Sequence, residues 1–165
     1  MALMNNAFQR YQQFGVNGRT TENNMETSSN YSTNNNISNN NAYKQYQQNS
    51  INTATPQELT LMLYNGLVKF LKLAELGIEE KNIEKANNNI IRSQDIITEF
   101  MCTLDMQYEV SKGLSALYEY MNRRLIEANI KKDKAIVEEI IGYAEELRDT
   151  WAQAMKLVKQ QVVNK

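Results

Sequence analysis

Any covalent or proton chemistry in this chain has to come from carboxylates, tyrosines or one thiol, because its 165 residues include no histidine. That removes the commonest general base near neutral pH, and with it the Glu-x-x-His pairs that di-metal bundles use. The acids that could work in pairs or hold a metal are Glu119, Glu127, Glu138, Glu145 and Glu146. Each falls between apolar positions of a helical repeat, which places it on a solvated face, as with Glu145 and Asp149 beside Arg148. Gly66, Gly77, Gly113 and Gly142 stand isolated in helical sequence, so no glycine loop can cradle a phosphate. A helical glycine costs about 1 kcal/mol relative to alanine, and close approach of a neighbouring helix would explain it. Cys102, the one cysteine, cannot form an internal disulfide and reads as a core thiol of a cytosolic protein. These residues point away from an enzyme, and no cofactor or metal is expected.

What remains is the chemistry of contact. Eight methionines and nine tyrosines suit an adaptable apolar surface, although Met62, Met101, Met121 and Met155 also fit a core. The stretch that must position such a surface is Thr55–Phe70. Thr55 can cap a helix, Pro56 fits its first position, and Glu58 completes a capping box. One apolar row then follows as Leu59, Leu63, Gly66, Phe70, Leu73 and Gly77. A second runs beside it through Tyr64, Leu67, Leu71 and Ile78. One row seats a helix in a bundle, so the second needs a further cover: an added helix, an N-terminal segment, a second copy in a homodimer, or a client. On this basis Leu67, Leu71, Ile78, Ile96, Phe100 and Tyr118 are groove candidates.

Three further helices follow. Asn82 caps the second, which runs to about Leu104 with Ala86, Ile90, Ile97 and Met101 inward; Ile91, Ile96 and Phe100 widen its apolar side. The asparagines Asn87–Asn89 are poor helix formers and are expected on an exposed face. Asp105–Gln107 make a turn. The third helix carries Val110, Leu114, Leu117, Met121, Leu125 and Ala128 and ends near Ile130. A turn at Lys131–Asp133, with Asp133 as cap, leads to a fourth helix with Val137, Ile140, Ala144, Leu147, Trp151, Ala154 and Val158 on one stripe. The turns are too short for crossovers, so neighbours run antiparallel. The expected fold is all-α: an up-down-up-down four-helix bundle at 55–165, preceded by a short aromatic cap segment at 41–54.

Residues 1–40 are rich in Asn, Ser, Thr and Gln, and 18–40 read as a disordered tether. Within this region Asn6–Asn17 (NAFQRYQQFGVN) aligns without gaps on Asn41–Asn52 (NAYKQYQQNSIN). Ala7, Tyr11, Gln12, Gln13 and Asn17 match Ala42, Tyr46, Gln47, Gln48 and Asn52, while Phe8 and Val16 replace Tyr43 and Ile51. A duplicated segment should bind what the original binds. The formal net charge is −1 with both signs interspersed, which gives no electrostatic case for nucleic acid or an anionic membrane. No apolar run is long enough to span a bilayer, and the N-terminus lacks the layout of a secretory signal.

The blocks NAYKQYQQNSINTATPQELTLMLYNGLVKFLKLA, ALYEYMNRRLIEANIKKD and ELRDTW resemble FliS, the family of flagellin export chaperones, over Asn41 to about Lys159. The resemblance implies a helical bundle acting as an ATP-independent holdase in the cytosol. It would bind the C-terminal region of flagellin, prevent premature polymerisation and deliver the client to the export gate protein FlhA. The rival reading of the same groove is an adaptor for regulatory flagellar proteins, for example an anti-sigma factor. The family's N-terminal tyrosine segment covers part of the groove, shifts when flagellin binds and is implicated in docking to FlhA. By position those roles fall on Tyr43, Tyr46 and Ile51. The extension 1–40 departs from the family pattern, and Phe8, Tyr11 and Val16 are expected to form a self-competing copy of the cap.

Overall fold

The protein is described here from a computed structural model over residues 53–163, and the cap residues Tyr43, Tyr46 and Ile51 and the copy Phe8, Tyr11 and Val16 lie outside them. Among the described residues the regular structure consists of α1 (Pro56–Glu79), α2 (Ile83–Thr103), α3 (Glu109–Lys131) and α4 (Lys134–Val163). Consecutive helices pack against each other, and α4 closes the ring on α1. This is the antiparallel four-helix bundle that the periodicity predicts.

The ends are set by local chemistry. Thr55 forms the capping box: the Glu58 amide donates to Thr55 Oγ1 at 3.3 Å, and the Thr55 amide donates to Glu58 Oε2 at 2.9 Å. Asn82 Oδ1 accepts from the Lys85 amide at 2.9 Å, and Asp133 Oδ1 accepts from the Ala135 amide at 2.9 Å. Lys81 and Lys132 sit in the left-handed region at φ 55° and 53°. There the Asn82 amide reaches Gly77 O at 2.8 Å and the Asp133 amide reaches Ala128 O at 3.2 Å. These six-to-one bonds satisfy carbonyls that the helix would otherwise leave open, so each turn closes in very few residues.

Packing fixes the order of the helices around the core. Gly77 lies against the α2 backbone, and an added Cβ there would stand 2.6 Å from the Ala86 nitrogen. Gly113 and Gly142 have nothing within 4 Å of such a Cβ, so close helix approach accounts for Gly77 and not for them. On the α1/α4 seam Lys134 meets Glu79 at 2.6 Å, and Lys72 meets Glu145 at 2.7 Å. On the α3/α4 seam Arg124 bonds Glu139 at 2.8 Å, and Tyr120 donates a short hydrogen bond to the same carboxylate.

Three expectations change. Asn89 is buried, not exposed; its Nδ2 donates back to Lys85 O at 2.7 Å, and the helix tolerates it because that bond stays within the turn. Cys102 is exposed near the end of α2 and is not a core thiol. Val110 and Val158, placed on inward stripes by spacing alone, are exposed because they sit near helix ends with little packed over them.

Candidate functional site

The two apolar rows of α1 are both used by the bundle. Phe70 lies under the Arg92 guanidinium and Gly77 touches Ala86, so the first row runs along α2. Tyr64, in the second row, lies tilted against Phe100 of α2 with ring centroids 4.4 Å apart and 6.4 Å from Trp151 of α4. Its hydroxyl is 2.6 Å from that of Tyr118 on the diagonally opposite α3. The second row therefore points at the bundle axis. Leu67 and Leu71 are 0% exposed, and Ile96, Phe100 and Tyr118 are buried with them; Ile78 is half-buried at the margin. The expectation of an open groove on these side chains is corrected. A helix flanked by two neighbours in a ring needs both rows to seat it, so this surface is not surplus, and a partner reaches it only by parting helices.

Tyr64, Phe100, Tyr118 and Trp151 bring one aromatic side chain from each helix into a single cluster. Burial raises the pKa of both tyrosines; for Tyr118 the neighbouring Tyr64 hydroxyl adds to it. Both stay neutral, and the pair serves to lock the core, not to move protons. Among the described residues no group of three or more acids and Cys102 is arranged to hold a metal ion.

Apolar surface is available elsewhere, on the outer face of α2 and α3. Asn129 Nδ2 donates to Asn87 Oδ1 at 2.8 Å, and Gln94 Nε2 donates to Asn122 Oδ1 at 2.8 Å. These amide pairs set the antiparallel register and bracket Ile91 on α2 and Ile126 on α3. Ile83 continues the α2 stripe four residues before Asn87, and Ile130 continues the α3 stripe four residues beyond Ile126. The exposures are 67% for Ile83, 44% for Ile91, 50% for Ile126 and 79% for Ile130. A surface strip of isoleucines interleaved with neutral amides suits an amphipathic helix or extended segment, since the apolar teeth take its greasy face and the amides orient it. Sequence reasoning placed Ile91 on the wide side of helix two and passed over the other three. Their signal was present: apolar residues at steps of four that fall off the core stripe and alternate with Asn and Gln.

A second opening lies at the other end of the bundle. The inward stripe of α4 is fully buried through Val137, Ile140 and Ala144, half-buried at Leu147 and Trp151, and open at Val158. α4 starts level with the end of α1, with Lys134 at Glu79, but α4 has 30 residues against 24. At 1.5 Å per residue α4 projects beyond α1 by about 9 Å. The first described residues arrive beside it: Trp151 Nε1 donates to Gln57 O at 3.0 Å, Lys159 lies 3.6 Å from Glu58, and Ala54 packs partly against the core.

Comparison with known proteins gives this architecture a family. The model for the flagellar protein FliS matches residues 39–158. The chain belongs to the FliS family. The flagellar secretion chaperone FliS of Bacillus subtilis (strain 168) is 51% identical over 114 residues, which is 69% of this chain and 86% of that protein. The FliS of Campylobacter jejuni (serotype O:6) is 32% identical over 119 residues, 71% of this chain and 93% of its own. A solved structure described as a flagellar chaperone from bacteria superposes with a TM-score of 0.58 at 18% identity, covering 72% of this chain and 98% of that one. That likeness supports the fold. The FliS match takes in Asn41–Asn52 and the bundle as far as Val158, and it leaves most of residues 1–40 and the last turn of α4 outside.

Proposed function

We propose that this FliS-family chain is an export chaperone that binds the C-terminal region of flagellin in the cytosol, keeps the subunit from polymerising and hands it to the export gate protein FlhA. The 51% identity to a flagellar secretion chaperone carries the proposal. The exposed isoleucine strip on α2 and α3 supports it physically, because filament subunits assemble through amphipathic segments whose apolar faces must be hidden until export. Docking along Ile83, Ile91, Ile126 and Ile130 leaves the closed core intact. Tyr43, Tyr46 and Ile51 serve as a displaceable cover at the chain's approach to α1 and as a contact for FlhA. Parting the helices to engage Leu67, Leu71, Ile96, Phe100 and Tyr118 would cost their burial, so these residues are assigned the deeper role of holding the platform rigid. Ile78, at the margin, remains a contact candidate.

The test is co-purification with the organism's flagellin, full length against a C-terminal truncation, using the native chaperone and Ile91→Glu/Ile126→Glu. Full-length flagellin should be retained and the truncated form lost. The double variant should keep its unfolding midpoint close to native, since both positions are exposed, and lose at least tenfold in affinity. Equal retention of both flagellins would overturn the proposal. A stable homodimer indifferent to flagellin in the ultracentrifuge would assign the strip to self-association instead.

A further inference from the structure

Two features meet at the open end of the bundle. One is the α4 overhang, where Leu157 and Val158 are each 60% exposed and Val158 continues the stripe that forms the core higher up. The other is the sequence that arrives there: Asn41–Asn52 ends next to Thr53, and Asn6–Asn17 repeats it with six of twelve residues identical and Phe8 and Val16 standing for Tyr43 and Ile51. One open face and two copies of one short aromatic segment make a competition. We infer that Asn6–Asn17 is a second, tethered ligand for the α4 overhang, which closes the open end when Asn41–Asn52 is engaged by a partner. The inference rests on Asn41–Asn52 acting as a displaceable cover.

The physical case is one of reach and concentration. With Asn41–Asn52 engaged elsewhere, the copy is tethered to α1 through residues 18–52, a polar chain of about 35 residues, and a coil of that length has an r.m.s. span of about 30–35 Å. The open face lies within that distance of the point where the chain joins α1, because Glu58 and Lys159 are 3.6 Å apart. A tether of this kind gives an effective concentration of about 1 mM, so a segment with an affinity of about 0.1 mM would occupy a vacant face about nine-tenths of the time. The chemistry matches as well. Phe8 and Tyr11 are three apart, so one helical turn sets both rings on one side, where they can lie on Leu157 and Val158. The device keeps apolar surface covered while the nearer copy works elsewhere, and it weakens any partner competing for the same face by about tenfold.

The test reads docking directly. In the full chain carrying Cys102→Ser, a nitroxide is attached at Asn5→Cys and the methyl signals of Leu157 and Val158 are followed by NMR. With Tyr43→Ala, Tyr46→Ala and Ile51→Ala also present, paramagnetic broadening should reduce those signals at least threefold. Adding Phe8→Ala, Tyr11→Ala and Val16→Ala should restore them, with the helical circular dichroism unchanged. No broadening in any background overturns the inference, and so does broadening that survives loss of Phe8, Tyr11 and Val16. No flagellin enters this measurement. Docking seen in a chain that fails to retain flagellin would sink the proposed function alone, and the converse result would sink this inference alone.

Discussion

The Tyr64–Tyr118 pair shows how much a single contact can decide. Two buried hydroxyls 2.6 Å apart satisfy each other across the diagonal of the bundle, in a cluster with Phe100 and Trp151. Removing one hydroxyl leaves its partner buried and unpaired, whereas removing both leaves two apolar rings of nearly the same shape. Tyr64→Phe and Tyr118→Phe should each lower stability by about 1–3 kcal/mol in urea denaturation, and the double variant by clearly less than the sum. Strict additivity would show that the hydroxyls do not depend on each other. The tyrosines were visible in the sequence, but their pairing was not. They stand 54 residues apart, and nothing in spacing along either helix names a partner across the bundle axis.

At the scale of elements, the glycines separate intrinsic preference from packing. Among the described residues Gly66, Gly77, Gly113 and Gly142 lie within helices, where glycine is about 1 kcal/mol worse than alanine. Gly113 and Gly142 have open space at the Cβ position, so Gly113→Ala and Gly142→Ala should each raise stability by about 0.5–1 kcal/mol. Gly77→Ala places a methyl 2.6 Å from the Ala86 nitrogen, against backbone that cannot rotate away. It should destabilise by about 1–3 kcal/mol despite its better helix propensity. Thermal unfolding of the three variants checks both signs at once, and a stabilising Gly77→Ala would mean that α1 and α2 are not held this closely. Helix ends were readable from sequence for the same local reason: Thr55 with Glu58, Asn82, and Asp133 act on amides two or three residues away.

At the scale of the whole molecule, charge and burial set the pH range of the fold. Hydrogen bonds from Thr55 lower the pKa of Glu58, while Lys131 and Arg124 lower that of Glu127. Tyr120 and Arg124 lower that of Glu139, and Arg148 lowers that of Asp149. A depressed folded pKa gives stability that is present above the unfolded value and is lost as pH falls through the folded one. The loss should begin below about pH 4.5 for the glutamates, and it should be shallow because these groups are solvated. Tyr64 and Tyr118 run the other way. Burial raises them, so their contribution is complete below the ordinary phenol value near 10 and is lost as pH rises past it. Unfolding midpoints should be flat from about pH 5 to 9, fall gently in acid and fall more steeply above about pH 10. Tyr64→Phe/Tyr118→Phe should flatten the alkaline limb; an unchanged limb would place its cause elsewhere.

Four helices, their caps, their turns and the antiparallel order follow from the chain read alone, because a 3.6-residue period and side chains reaching the nearest amides are local properties. Membership in the FliS family is likewise carried by the sequence, over residues 39–158. The direction in which an apolar row faces was settled only in three dimensions. Leu67 and Leu71 looked surplus along α1, yet a ring of four helices turns that row to the axis and consumes it. The surface left for a partner emerged from the α2/α3 register, which places isoleucines from two helices between amide pairs formed by residues up to 42 positions apart. Periodicity tells which side chains share a face of one helix; only packing decides which of those faces water still reaches.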